Sequence, residues 1–323
     1  MKEKLKNRRK APLPMTPLRA GNRTLLRYKK EAPYFVMLII PVAFFLIFMY
    51  WPMFGLVMAF QNYKVGDPFI GANVTWVGLK WFKILLSNPF FWRLVRNTLL
   101  LSVYSILISF PLSVLLAILL NEIRNKGLRK FTSNVSLLPY FISTVVIVGI
   151  MVNFFSVDDG LVNNVISMFG GSKIDFMGSS NWFRTMYIGS GIWQMTGFNA
   201  VVFTAAISGI DPVLYEAASI DGSTRFRNIF CITIPCILPT IIIMLLLRVG
   251  NLMSVGYEKI ILMYSPAIYD TADTLATYAY RAGILDGKLS LSTAIGLFNA
   301  VCNLLVLLFA NKMTKKVSGT SLW

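Results

Sequence analysis

Long apolar runs alternate along the chain with short polar ones, and this pattern carries most of the architecture. Runs close to the roughly 20 residues needed to cross the hydrocarbon core cover 33–60, 95–120, 137–155, 186–210, 235–263 and 291–310. They predict an all-α membrane protein with six transmembrane helices. Pro41 and Pro52 in the first run, and Pro235 with Pro239 at the start of the fifth, predict kinks where the ring and the missing N–H disturb the helix.

The polar stretches set the orientation. Lys2, Lys4, Lys6, Arg8, Arg9, Lys10, Arg19, Arg23, Arg27, Lys29 and Lys30 precede the first run. Arg124, Lys126, Arg129 and Lys130 follow the second, Arg225 and Arg227 the fourth, and Lys312, Lys315 and Lys316 the sixth. By the positive-inside rule that side is cytoplasmic and both termini lie inside. The opposite loops hold most of the acidic residues, among them Asp67, Asp158, Asp159, Asp175, Asp270, Asp273 and Asp286. Trp76, Trp81, Trp92 and Trp182 also fall there, as an interfacial aromatic belt requires. The chain divides into a basic cytoplasmic tail at 1–32, a six-helix membrane domain at 33–311 with a cytoplasmic loop at 210–235, and a short tail at 312–323. The first run is longer than a signal-peptide core and no small-residue cleavage site follows it, so it reads as a retained span.

Composition agrees and narrows the chemistry. Apolar residues make up 56% and charged residues 14% of the 323, against about a quarter charged in soluble domains. The net charge of +17 sits at the ends of apolar runs, which fits anionic membrane lipid rather than nucleic acid. Histidine is absent, which removes the commonest metal ligand and general base. Cys231, Cys236 and Cys302 have no zinc-site or disulfide-framework spacing. Neither a metal site nor a catalytic residue is assigned.

The loop between the fourth and fifth runs holds the most specific signal. Asp211 can cap a helix whose first residue is Pro212, and Gly222 permits the left-handed conformation that ends one. Thr224 to Phe230 reads as a second amphipathic piece with Phe226, Ile229 and Phe230 on its apolar side. Ala217 and Ala218 leave one face of the first helix nearly bare, and Glu216 offers a carboxylate beside it. The segment therefore predicts a short rigid rod with a face able to enter a groove.

This loop resembles the EAA loop of binding-protein-dependent ABC importer permeases. Glu216, Ala217, Ala218, Gly222, Ile232 and Pro235 match the family pattern at its spacing, and Ile234 replaces its usual leucine. Gln61, Asn62 and Tyr63 after the first run look like the carbohydrate-uptake permeases of the polysaccharide and lipoprotein-associated branch. The resemblance implies an ATP-driven importer of an oligosaccharide or glycan fragment that works by alternating access. It further implies a second permease, different in sequence, two ATPase subunits that hold ATP and Mg, and an extracytoplasmic solute-binding protein. This chain itself would bind no cofactor and sit in a prokaryotic cytoplasmic membrane. Glu216, Ala217, Ala218, Asp221 and Gly222, with Ile232 and Pro235, would make the contact with the ATPase.

Polar residues inside apolar runs are costly and tend to face a cavity or the bundle interior. Arg248, Asn251, Ser254 and Glu258 recur at three- and four-residue steps, which on one continuous helix form a single stripe. The stripe either lines a substrate path or makes a polar network between helices. Gln194 and Asn199 are further candidates, though not on one helical face, and Trp193 is placed to stack on a sugar ring.

Two other classes compete. A secondary, ion-coupled transporter has no need of an EAA-type loop, and the chain has no pair of interrupted helices in symmetric positions. A membrane enzyme needs titratable residues converging at one depth, whereas adjacent Asp158 and Asp159 read as a solvated turn. The segment from Gly283 to Leu289 lacks the spacing and the hydroxyl of a phosphate-binding loop.

Overall fold

The computed structural model of the protein describes residues 20–71, 74–319 and 321–322. The basic positions Lys2 to Arg19 of the predicted tail lie outside these residues. The chain forms two compact units, Met1–Gly55 and Leu56–Trp323. Among the described residues the only β-pairing is a single antiparallel bridge between Gln61 and Trp76.

In the first unit, helix α1 (Ala20–Phe45) gives way to a π-helical turn, Leu46–Tyr50, and then to a 3-10 stretch, Trp51–Phe60, which runs on into the second unit. The change of helix type falls where the sequence predicts a kink. Pro52 cannot donate to the carbonyl four residues back, so the regular ladder is lost around it and the backbone shifts to wider and then tighter turns. The predicted boundary at residue 32 falls inside α1, because the helix already begins at Ala20. From Tyr34 to Phe54 nearly every large apolar side chain is exposed, a surface suited to hydrocarbon.

The second unit continues with α2 (Lys80–Leu86), α3 (Phe91–Glu122), α4 (Lys126–Leu137), α5 (Thr144–Phe154), α6 (Leu161–Met168) and α7 (Ser180–Ser208). It ends with α8 (Pro212–Ile220), α9 (Arg225–Asn228), α10 (Ile234–Val249), α11 (Tyr257–Met263), α12 (Tyr269–Ala272), α13 (Leu275–Tyr280) and α14 (Leu289–Ser318). Its core forms three clusters. One joins α3, α5, α7 and α11 through Leu101, Ile147, Phe183 and Ile260. A second joins α2, α3, α13 and α14 through Leu85, Leu94, Leu275 and Ile295. A third joins the far halves of α3 and α7 to α10 through Ala117, Phe203 and Ile237. Gly197 lets α7 approach the end of α4, since a Cβ there would lie 1.9 Å from the Ser136 carbonyl oxygen.

Three predicted spans differ from the observed helices. The run 137–155 is not one helix: α4 and α5 meet at a 96° bend. Pro139 withholds a donor, and the Ser143 side chain starts α5 afresh by accepting from the Val146 N–H at 3.4 Å. The run 235–263 is also interrupted, because α10 stops at Val249 and α11 starts only at Tyr257. The last helix continues to Ser318, past the predicted boundary at 311. Among the described residues four helices are long and apolar enough to cross a membrane, and the number becomes six if each of two bent pairs counts as one span.

Candidate functional site

Two regions of the second unit gather the predicted functional residues. The first is α8 and its flanks. The Asp211 carboxylate accepts from the Val213 N–H at 3.0 Å, and Pro212 stands at the first helical position, where its missing donor costs nothing. At the other end Gly222 has φ +72°. The Ser223 N–H donates to Ala218 O at 2.9 Å, and the Gly222 N–H to Ser219 O at 3.1 Å. These paired bonds close the helix as a Schellman motif. A nine-residue rod capped at both ends results, turned 68° from α7.

Glu216, Ala217, Asp221 and Gly222 are exposed and Ala218 is half-buried. The Glu216 carboxylate makes no bond to another described residue. On the opposite side of the rod the Tyr215 hydroxyl meets the buried Thr233 hydroxyl at 2.9 Å. Thr233 closes a π-helical turn, Ile229–Thr233, that leads into α10. Ile232 is half-buried at that turn and Pro235 is exposed at the start of α10. The predicted second amphipathic piece is α9 with that turn: Thr224 caps it by accepting from the Arg227 N–H at 3.3 Å. Phe226 and Phe230 stand exposed with ring centres 5.0 Å apart, while Ile229 packs on the third core cluster.

The second region is a cavity of about 550 Å³ between α3, α7, α10 and the segment that follows α10. Arg248, Asn251, Ser254, Glu258, Gln194 and Asn199 all line it. The predicted helical stripe is corrected all the same. The helix ends at Val249, Asn251 sits in the turn that follows, Ser254 in the irregular backbone beyond it, and Glu258 belongs to α11. These four residues share a wall because the chain folds around the break, not because of a 3.6-residue period. Trp193 does not line the cavity; it is 51% exposed on the outer surface of α7.

The interruption leaves backbone groups that side chains must satisfy, since irregular backbone at membrane depth is tolerated only where it is buried in protein or lines a cavity. Asn303 on α14 does this for the wall: its Oδ1 accepts from the Met253 N–H at 2.7 Å and its Nδ2 donates to the Ser254 hydroxyl at 2.8 Å. Gln194 serves the α4–α5 break by donating to Ile142 O at 3.1 Å. Arg248 donates to Asn199 Oδ1 at 2.6 Å, tying α10 to α7.

The sequence reading missed Lys259, Tyr187 and a hydroxyl row, Ser102, Ser105 and Ser109, all on the cavity wall. The three serines recur at helical spacing on α3, a signal visible in the sequence. Asn303 gave no such signal, because its partners lie 49 and 50 positions away.

Beyond the cavity, the loop before α13 is fixed by the pair Arg281–Asp273 at 2.7 Å, with Asp273 almost fully buried. Burial lowers the guanidinium pKa of Arg281, but the hydrogen bond and charge of Asp273, joined by Tyr264, outweigh it and leave the pKa raised. Asn97 of α3 donates to the carbonyls of Asp270 and Asp273 at 2.9 and 3.0 Å. Gln61 is buried and donates to Phe69 O at 2.8 Å, while the Tyr63 N–H reaches Ser290 Oγ at 3.0 Å.

Comparison with known proteins gives this geometry a context. No family model matches the chain. It is 39% identical over 295 residues, 91% of each chain, to the polygalacturonan/rhamnogalacturonan transport system permease protein YteP of Bacillus subtilis (strain 168). It is 27% identical over 311 residues to the arabinooligosaccharides transport system permease protein AraP of the same organism, covering 96% of this chain and 95% of that one. A chain in the crystal structure of a bacterial alginate ABC transporter, in complex with an alginate pentasaccharide-bound periplasmic protein, superposes with a TM-score of 0.84. Identity there is 41%, over 93% of this chain and 100% of that one. In such systems the ATPase is a separate subunit. With full-length likeness to transport permeases, apolar helices able to span a membrane and a helical EAA segment, the chain belongs to the sugar-transport permease subunits of ABC transporters.

Proposed function

We propose that the chain is one of two channel-forming permeases in an importer that uses ATP to take up an oligosaccharide or glycan fragment by alternating access. On this reading the chain crosses the membrane six times, each bent pair counting as one crossing, and both termini lie in the cytoplasm of a prokaryotic cell, as the distribution of basic residues supports. A second, different permease completes the channel, two ATPase subunits carry the ATP and Mg, and a solute-binding protein outside delivers the cargo. The cargoes named for the relatives, polygalacturonan or rhamnogalacturonan, arabinooligosaccharides and alginate, share a polyhydroxylated chain. The amides and hydroxyls of Gln194, Asn251, Ser254 and Ser102 suit such a chain.

The observation that carries this reading is the doubly capped rod Pro212–Ile220, with its free carboxylate and its tie to the base of α10. A rod fixed at both ends transmits displacement instead of absorbing it. A push on α8 passes through Tyr215 and Thr233 to α10, and α10 ends in the cavity wall at Arg248. ATPase closure then moves the wall that faces the cargo. Reconstitution of the permease pair with its ATPase and binding protein tests the reading. Uptake is expected to require ATP and survive collapse of ion gradients; uptake that needs the gradient and ignores ATP would establish the ion-coupled alternative.

A further inference from the structure

We propose that the cavity selects an anionic oligosaccharide whose carboxylates are met by Lys259 and Arg248; this deepens the importer reading above and rests on it. The charged side chains on the lining are Arg248, Glu258 and Lys259. Lys259 is half-buried, donates to Tyr187 O at 3.2 Å and lies 5.1 Å from the centre of the Tyr187 ring. A carbonyl dipole and a ring face orient the ammonium but do not cancel its charge. Arg248 spends one nitrogen on the uncharged Asn199 amide oxygen. Neither Lys259 nor Arg248 forms an ion pair with a described residue; the pairs Arg281–Asp273 and Lys288–Asp286 lie off this wall. Two cations at membrane depth with no carboxylate partner are expensive to keep.

Glu258 does not supply the missing charge. It stands in the first turn of α11, where the helix N-terminus favours a carboxylate, and it forms no ion pair with Lys259 or Arg248. The wall therefore presents two positive groups against one negative.

Their spacing narrows the ligand. Lys259 Nζ lies against Gly191, where an added Cβ would be 3.8 Å away, and Arg248 lies against Asn199. Those positions on α7 are about 12 Å apart at 1.5 Å per residue. Charges anchored at those two points of α7 suit different units of a chain better than one monosaccharide. The hydroxyls of Ser102, Ser105 and Ser109 line the same cavity and are available to the intervening sugar oxygens.

The carboxylates have two conceivable sources, the cargo or an acidic side chain of the second permease, and one experiment separates them. The complete transporter, with its ATPase and binding protein, is reconstituted in vesicles. It is given a mixture of oligogalacturonides and oligomannuronides, or the same mixture after carboxyl reduction to neutral sugars. We expect ATP-dependent uptake of the acidic mixture. Lys259→Met and Arg248→Gln should each reduce it by about ten- to a hundredfold, the scale of a charge-assisted hydrogen bond, with the assembled complex recovered in normal amount. Lys259→Arg should restore most of it. Equal uptake of both mixtures, or full acidic uptake by Lys259→Met, overturns the proposal and leaves the importer reading standing. Loss of the second permease from the Lys259→Met complex also overturns it, by assigning the counter-charge to that subunit. Absence of ATP-dependent uptake of either mixture by the unaltered complex counts against the importer reading itself.

Discussion

The rod at Pro212–Ile220 and the cavity wall from Arg248 to Lys259 are both short, polar and irregular at their edges, yet they are held in opposite ways. The caps of the rod come from neighbours two to five positions away, as in Asp211 to Val213 and Ser223 to Ala218. The wall is held by Asn199, Asn303 and Tyr187, from 49 to 72 positions away. A locally specified rod keeps its shape wherever the bundle carries it, which suits a part that docks on another subunit. Local turns and the Asn251 bond to Leu247 O shape the wall, but the bonds that hold it in place run to other helices. It therefore changes when those helices move, which suits a part that must bind cargo in one state and release it in another.

Substitutions can break that contrast, beginning with the rod. Gly222→Val forces a β-branched residue into a left-handed conformation, at a cost above the roughly 1–2 kcal/mol that any L-residue incurs there. Uptake should fall to background while the amount of permease in the membrane is unchanged, as immunoblotting of membranes beside a transport assay would record. Asn303→Leu attacks the wall: it strands the Met253 N–H and removes a bond to Ser254, costing about 1–3 kcal/mol. The half-saturating cargo concentration should rise about tenfold, the equivalent of 1.4 kcal/mol, with ATPase binding unaltered. Asn303→Asp, which still accepts from Met253, should recover most of it. Asp211→Ala removes one cap, worth about 1 kcal/mol. It should weaken co-purification with the ATPase about fivefold and leave cargo affinity alone. Trp193→Ala sharpens the contrast from the quiet side: the ring is outside the cavity, so half-saturation should move by less than about twofold.

The same contrast explains what could be read from the sequence. Asp211, Pro212 and Gly222 act on their own backbone, so their meaning is visible without a partner, and the rod folds where they predict it. Hydropathy likewise locates the apolar helices, because it measures an average over a run. An average is blind to where the backbone leaves the helix. The residues from Ile260 to Met263 are as apolar as those of α10, so one span was expected across 235–263. Gly250 and Gly256, which flank the break, were the overlooked sign. Ile142 and Ser143 hid a second break in the same way, with Pro139 as its signal. The role of Asn303 was illegible for a different reason: an asparagine in an apolar helix announces that it needs a partner but not which one.

The most direct test of the account is a photoreactive side chain at position 217, on the bare face of the rod. Illumination of the assembled transporter should link this chain to the ATPase subunit, with a yield that changes between nucleotide-free and ATP-bound states. An active transporter that yields no such link, or a position 217 that an impermeant reagent reaches from outside intact cells, would contradict the claim that this rod couples ATP to transport.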